Sequence, residues 1–571
     1  MKNICSLIAC GIICIVLLQY RVTTIPADKP LNVTQWDAFG YYMYLPAICM
    51  YHDYKKLDWL AEVDKKYSVT GGDGWQAQKE ANGNYVFKYL GGVAIMQLPF
   101  FYIGHTIAQN YGYPVDGFSP PYMYALAFGI IFYCMLGLLL LRHVLLRYFK
   151  DGTVAITLLL LCLATNFIQY VAVDNGLSHA YIFPLYVLVI YTTLQWHQRP
   201  RAVWALLTGY IIGLATISRP TEAIMLFIPL MWQMQHKEAA REKWHLVKAH
   251  KSHVTIAALG GLLGILPQLV YWKLSSGHFI YDVGSKWQFL TPWFRVLFGW
   301  EKGWFIYTPV TVFFIVGMFF MKRFPFQKSV LWFCLLNVWI IIAWDDWRYG
   351  GTFSTRALIQ SYPAFALPLA AFVDYVGTKK WKPVFYAAGA YLLFVNLFQT
   401  WQYDNTVLHY NDMNRHYYAH IYLNAHPTPL DMSLLDNEDF LHDESGYEHK
   451  LLLAKDVLQP VHFDGGGNAV LATIPFNATP GNWLKIAASV KAPNNLWKSE
   501  LNAAIQSGDS VKPAHVRLFS PISKSDTLND YAFYMQVPET FTQATVKVFI
   551  TSPYNFTGVV EKLTVTELKK F

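Results

Sequence analysis

From residue 4 to about residue 401 the chain alternates apolar runs with short polar connectors; after that the alternation stops. The runs fall near 4–20, 122–141, 153–171, 177–196, 202–218, 221–235, 254–274, 303–321, 329–344, 357–376 and 384–401. Most approach the roughly 17 to 25 residues that a helix needs to cross about 30 Å of hydrocarbon, so the pattern predicts a polytopic α-helical membrane protein with about 11 transmembrane helices. One more apolar run, YLGGVAIMQLPFFYIGHTIA at 89–108, follows a long polar segment at 21–88. A full crossing there would carry the basic RHVLLRYFK, from Arg142 to Lys150, to the outer face, so the run is read as a helix lying in or dipping into the outer interface.

Past residue 401 the period changes. A His-, Asn- and Tyr-rich polar stretch leads to short segments such as WLKIAASVKA, HVRLFSP, YAFYMQVP, TVKVFITS and KLTVTEL. Their period-two alternation between Pro, Gly and Asn turns predicts an antiparallel β-sandwich. The expected organisation is a membrane domain at 1–401, with its first outer loop and interfacial helices at 21–121, a connector at 402–450 and an outer β-sandwich at 451–571.

Charge orients this arrangement. Residues 1–401 carry 32 Lys+Arg against 19 Asp+Glu, net +13, whereas 402–571 carry 13 against 18, net −5. The excess of base sits in connectors at Arg142–Lys150, Arg199–Arg201, Lys237–Lys251, Lys322–Lys328 and Lys379–Lys382. The positive-inside rule assigns these to the cytoplasm and accounts for the basicity without nucleic acid. DNGLSH at 174, SRPTEA at 218 and WDDWRYGGTFSTR at 344 then share the opposite face with the β-sandwich. A content of 54% hydrophobic and 14% charged residues is too apolar for a soluble enzyme. The seven cysteines follow neither a disulfide framework nor zinc spacing.

Ionisable groups at the outer ends of helices are the candidates for chemistry, because a charge at the hydrocarbon boundary is costly unless paired, solvated or used. Asp37 lies in TQWDAFGYYMYLPA, beside Trp36, Phe39, Tyr41, Tyr42 and Tyr44, and a carboxylate against such an aromatic wall suits a general base. The bland alternative is a solvated or Arg-paired loop carboxylate. Arg219, Arg348 and Arg356 share the outer face in this topology, and guanidinium groups bind phosphate in bidentate fashion. Their bland reading is pairing with Asp345 or Asp346, or snorkelling. His179 and Asp174, in DNGLSH, could orient a phosphate or hydroxyl, or merely suit a helix start. His416 and His420 have i, i+4 spacing without the Glu of a zinc protease, and the aromatics Trp483, Trp497, Tyr531 and Tyr534 offer either sugar-stacking faces or ordinary core. No Walker loop, G-x-G-x-x-G or G-x-S-x-G occurs.

The ordered passages WDAFGYYMYLPA, GLSHAYIF, SRPTEA and WRYGGTFSTR, with the helix count and an outer C-terminal domain, resemble the GT-C superfamily of membrane glycosyltransferases. The resemblance covers roughly residues 1–400 and is nearest the bacterial branch of protein mannosyltransferases and lipid A aminoarabinose transferases. It implies transfer of a sugar from a polyprenyl-phosphate donor to a glycan, lipid or protein hydroxyl on the periplasmic face of a bacterial inner membrane, usually with inversion. The family's first-loop acidic base maps onto Asp37. Mannosyltransferases often carry an acidic pair there; here Ala38 follows, and Asp53, Asp58, Asp116 and Asp174 are the candidates for a second carboxylate. Arg219, Arg348 and Arg356, with His179, Asp174, Tyr41 and Tyr42, are the expected substrate and phosphate contacts. The resemblance fixes no cofactor and leaves a divalent cation, Mg or Mn, open. A flippase or non-catalytic binder of lipid-linked glycans is the alternative, although the related halves of a transporter are not seen.

Overall fold

The computed structural model describes residues 3–571 apart from 28, 73, 457–459, 464–466, 492–497, 519–526 and 554. Two compact units divide the chain, Met1–Thr400 and Trp401–Phe571.

The first unit is a helical bundle, and the predicted spans overlap its helices, several of them only in part. Five of the described helices are long and apolar enough to cross a membrane by length and composition: Ile4–Thr23, Pro120–Leu145, Lys251–Ser276, Arg356–Gly377 and Lys382–Asp404. Several other spans are shorter or broken. The run expected as one helix at 303–321 splits before Pro309, which has no N–H to continue a helix, into Trp304–Tyr307 and a second helical stretch, Pro309–Phe320. The run at 153–171 stops at Leu163 and resumes as a π-helical turn, Gln169–Val173, just before Asp174. At 221–235 a 3₁₀ stretch, Pro220–Leu226, precedes the short helix Phe227–Met231.

Small residues let helices approach closely. A Cβ on Gly209 would lie 1.8 Å from the Ala257 carbonyl oxygen, and one on Gly260 2.3 Å from that of Leu206, so helices Ala202–Thr216 and Lys251–Ser276 meet backbone to backbone. At the end assigned to the cytoplasm, Asp151 accepts from the Cys5 and Ser6 amides, and Arg142 Nε donates to Ser6 Oγ at 2.7 Å, tying three helices together. The 89–108 run forms the helix Gly92–Asn110, with Pro99 inside it, packed along Pro120–Leu145: Gly129 meets the Phe100 ring and Gly104 the Tyr122 backbone. The first loop contributes the short helices Asp37–Tyr42 and Tyr44–Cys49 and a hairpin of β1 (Ala77–Lys79) and β2 (Tyr85–Phe87).

The second unit has two antiparallel sheets sharing one apolar core. One has the order β5 (Asn468–Asn477), β10 (Gln543–Thr551), β7 (Glu500–Ser507), β8 (Ser510–Arg517). The other has β3 (Tyr447–Lys455), β11 (Phe556–Lys570), β6 (Trp483–Lys491), β9 (Leu528–Gln536), with β4 (Pro460–Phe463) also on β11. Inward positions alternate as expected for strands with one buried face: Leu501, Ala503 and Ile505 on β7 meet Leu484, Ile486 and Phe533 of the facing sheet. The segment expected as a connector, 402–450, is a packed part of this unit. Arg517 reaches Asp412 at 2.9 Å and, through Nε, Asp436 at 2.8 Å, while Asn437 Nδ2 donates to the Tyr534 carbonyl at 2.7 Å.

Candidate active site

The site begins at a strained residue. Trp36, immediately before Asp37, has φ 55° and ψ −124°, a region costly for any residue with a Cβ, yet its side chain is 58% exposed. Its amide donates to the Val69 carbonyl at 3.1 Å, its own carbonyl accepts from Gln76 Nε2 at 3.3 Å, and its ring lies over Gly71. Gly71 has φ +79°, and a Cβ there would come within 2.5 Å of the indole. This clamp sets the direction in which Asp37 starts its short helix.

The Asp37 carboxylate is fully engaged. Arg356 Nη2 donates to Oδ2 at 2.5 Å and the Tyr89 hydroxyl to Oδ1 at 2.8 Å. Both charged side chains are largely buried, Arg356 12% and Asp37 25% exposed. Arg356 Nε is buried and has no partner among the described residues, so the guanidinium keeps a donor to offer. Tyr41 packs edge-on against Tyr89, with ring centroids 4.7 Å apart, and its hydroxyl accepts from Ser178 Oγ at 3.0 Å. Burial raises the Tyr41 phenol above its ordinary range, and Asp37, Arg219 and Arg356 all act on it electrostatically.

The loop that delivers Arg356 is held from beneath. Tyr170 exchanges hydrogen bonds with the Phe353 backbone, and Asn166 Nδ2 also donates to the Phe353 carbonyl. Lys302, buried, donates to the Arg348 and Gly350 carbonyls. A Cβ on Gly350 would sit 3.8 Å from Arg356 Nη2, placing this tethered turn against the ion pair. Asp174 follows the π-helical turn, where Gln169 Nε2 donates to it at 3.2 Å; burial raises its pKa, opposed by Arg356 and Arg21. Asp53 caps the amides of Lys55, Lys56 and Asp58, and Asp116 pairs with Lys66 at 3.1 Å and accepts from the Tyr67 hydroxyl. Asp58 is exposed.

A second cation lies at the end of a buried polar chain. Arg219 Nη1 stands 3.5 Å from His179 Nε2, and His179 Nδ1 is 2.8 Å from Gln360 Oε1. Gln360 Nε2 donates to Glu222, which also accepts from the Tyr186 hydroxyl and from Thr221 Oγ1. Glu222, Gln360 and Tyr89 were not singled out in the sequence; only Glu222 carried a signal, as a carboxylate within an apolar run.

Two expected contacts lie elsewhere. Arg348 is exposed and stacks over Trp347 at 5.1 Å, because its backbone, not its side chain, is drawn inward by Lys302. Tyr42 points its hydroxyl at the Gly117 carbonyl and packs on Phe118 and Phe101, as core of the first loop. In the second unit Tyr531 and Tyr534 are buried, with hydroxyls on the Leu518 carbonyl and Glu444, while Trp483 is half-buried at the edge of Tyr534. Trp497 lies outside the described residues. His420 hydrogen-bonds to the His416 carbonyl and stacks on His442. No three His, Cys, Asp or Glu side chains converge on a metal position among the described residues. At Asp37 the charge facing the carboxylate is the Arg356 guanidinium.

No family model and no curated protein matches the chain. Among solved structures it is similar to ArnT from Cupriavidus metallidurans bound to undecaprenyl phosphate, at 12% identity over 72% of this chain and 67% of that one, with a TM-score of 0.43. It is also similar to the archaeal oligosaccharyltransferase AglB from Archaeoglobus fulgidus in complex with an inhibitory peptide and a dolichol-phosphate, at 12% over 77% and 61%, TM-score 0.45. A third is the arabinosyltransferase EmbB from Mycobacterium smegmatis, at 11% over 98% and 64%, TM-score 0.31. With TM-scores of 0.43, 0.45 and 0.31, no residue's role is carried over from these structures.

Proposed function

We propose that the protein transfers a sugar from a polyprenyl-phosphate donor to an acceptor hydroxyl on the periplasmic face of a bacterial inner membrane. The observation that carries this reading is the Asp37–Arg356 pair, a carboxylate and a guanidinium with an unused donor, set at the outer loop of an apolar helical bundle. A phosphate binding to Arg356 competes with Asp37 for the same Nη2 and releases the carboxylate as it docks. Asp37 then takes the proton of the acceptor hydroxyl as that oxygen attacks the anomeric carbon from the face opposite the phosphate. The bond from the anomeric carbon to the phosphate oxygen breaks with inversion, and the charge that grows on the departing lipid phosphate is met by Arg356 and Arg219. Tyr89 keeps the carboxylate aimed once Arg356 has left it.

The test is a transfer assay on the full chain in lipid, with a panel of polyprenyl-phosphate sugars and envelope acceptors read by mass spectrometry. Transfer by the wild type that vanishes in a folded Asp37→Ala protein is expected. Donor binding without transfer from any donor would point instead to a flippase or glycan-binding role.

A further inference from the structure

We propose that Glu222 is a positioning residue that sets the proton on His179 and thereby holds Arg219 for the phosphate; this rests on the transferase reading above. Glu222, Gln360 and His179 are 1%, 1% and 2% exposed, so water does not compete within the relay. The Gln360 amide faces Glu222 with its NH₂, donating through Nε2, and the Tyr186 hydroxyl also donates to the same carboxyl group. The amide oxygen is then left for His179, 2.8 Å from Nδ1, which makes Nδ1 the protonated nitrogen. Nε2 is left as a bare lone pair, and that lone pair faces Arg219 Nη1.

Free imidazole prefers the opposite tautomer, whose Nε2–H would repel a guanidinium. The carboxylate therefore determines, two hydrogen bonds away, whether the histidine accepts from Arg219 or opposes it. The Tyr186 and Thr221 hydroxyls occupy other lone pairs of Glu222 and have no part in the amide's polarity.

The experiment is a double-mutant cycle on the full chain in lipid nanodiscs, reading affinity for undecaprenyl phosphate. Arg219→Ala is expected to weaken binding about tenfold and Glu222→Gln about three- to tenfold, with the double variant no weaker than Arg219→Ala alone. Gln360→Leu, which cuts the relay at its middle, is expected to give the same loss and the same non-additivity. In ¹⁵N spectra of histidine-labelled protein, assigned with His179→Gln, Nε2 of His179 is unprotonated in the wild type and protonated in Glu222→Gln.

Wild-type affinity in Glu222→Gln, additive losses in the double variant, or an unchanged tautomer would each overturn the relay while leaving the transferase reading in place. A wild type that binds no undecaprenyl phosphate would overturn both.

Discussion

Asp37→Asn should impair the reaction and tighten the binding of its lipid. The carboxylate and Arg356 are 2.5 Å apart and mostly shielded from water. A charge-assisted hydrogen bond in such a setting contributes about 1–2 kcal/mol, at the lower end for charged groups because some exposure remains. A phosphate that binds Arg356 through Nη2 displaces this contact. Asparagine keeps the volume of the side chain and an acceptor for the Tyr89 hydroxyl but removes the competing charge. Affinity for undecaprenyl phosphate should then rise roughly five- to thirty-fold, the factor that 1–2 kcal/mol represents. Transfer should fall by about 10²- to 10⁴-fold, the usual effect of removing a general base. Both quantities are measured on one preparation, by titration of nanodisc-embedded protein with undecaprenyl phosphate and by mass spectrometry of the product. Weaker or unchanged binding in a folded Asp37→Asn protein would refute the competition for Arg356. Undiminished transfer would refute the base.

Tyr89→Phe removes the remaining anchor of Asp37 and should lower kcat about tenfold with little change in KM, measured in the same assay. Arg348→Gln should change transfer and lipid affinity by less than about twofold, whereas Arg356→Gln should abolish tight binding; equal losses would put Arg348 in the site. Gly71→Ala forces a side chain into φ +79° and against the Trp36 indole, so it should destabilise the first loop by about 1–3 kcal/mol and reduce transfer, visible as faster limited proteolysis there. Arg517→Ala leaves Asp436, whose side chain is 6% exposed, without its counter-charge, and should lower the stability of the C-terminal unit by about 3 kcal/mol, measured by calorimetry.

The parts of this molecule that were legible in its sequence are those that follow from solvent. Spans such as 122–141 and 254–274 are visible because hydrocarbon demands a long apolar run, and the strands of the C-terminal unit because one buried face enforces a period of two. Asp37 stands out for the same reason, as a charge where charge is costly. Breaks inside apolar runs were harder to place. The run at 303–321 carries Pro309 as a visible marker, but the interruption between Leu163 and Gln169 has no comparable residue and is settled by packing around Asn166 and Tyr170.

The polar partners that complete the site were not legible, because their significance depends on which helices meet. Gln360 and Tyr89 are unremarkable in the chain, and each acquires a role only when a residue 138 or 52 positions away reaches it. Arg348 and Arg356 show the converse. Eight residues apart in one motif, they were equal candidates, and what separates them is the turn between. Lys302 draws the Arg348 and Gly350 carbonyls inward, Tyr170 and Asn166 fix Phe353, and the backbone that leaves this clamp turns Arg356 onto Asp37 while Arg348 stays outside. Lys302→Met should therefore slow transfer, and it should do so through Arg356: in an Arg356→Gln background the same substitution should cost nothing more. Additive losses in that pair would mean that Lys302 acts on the substrate directly rather than on the loop.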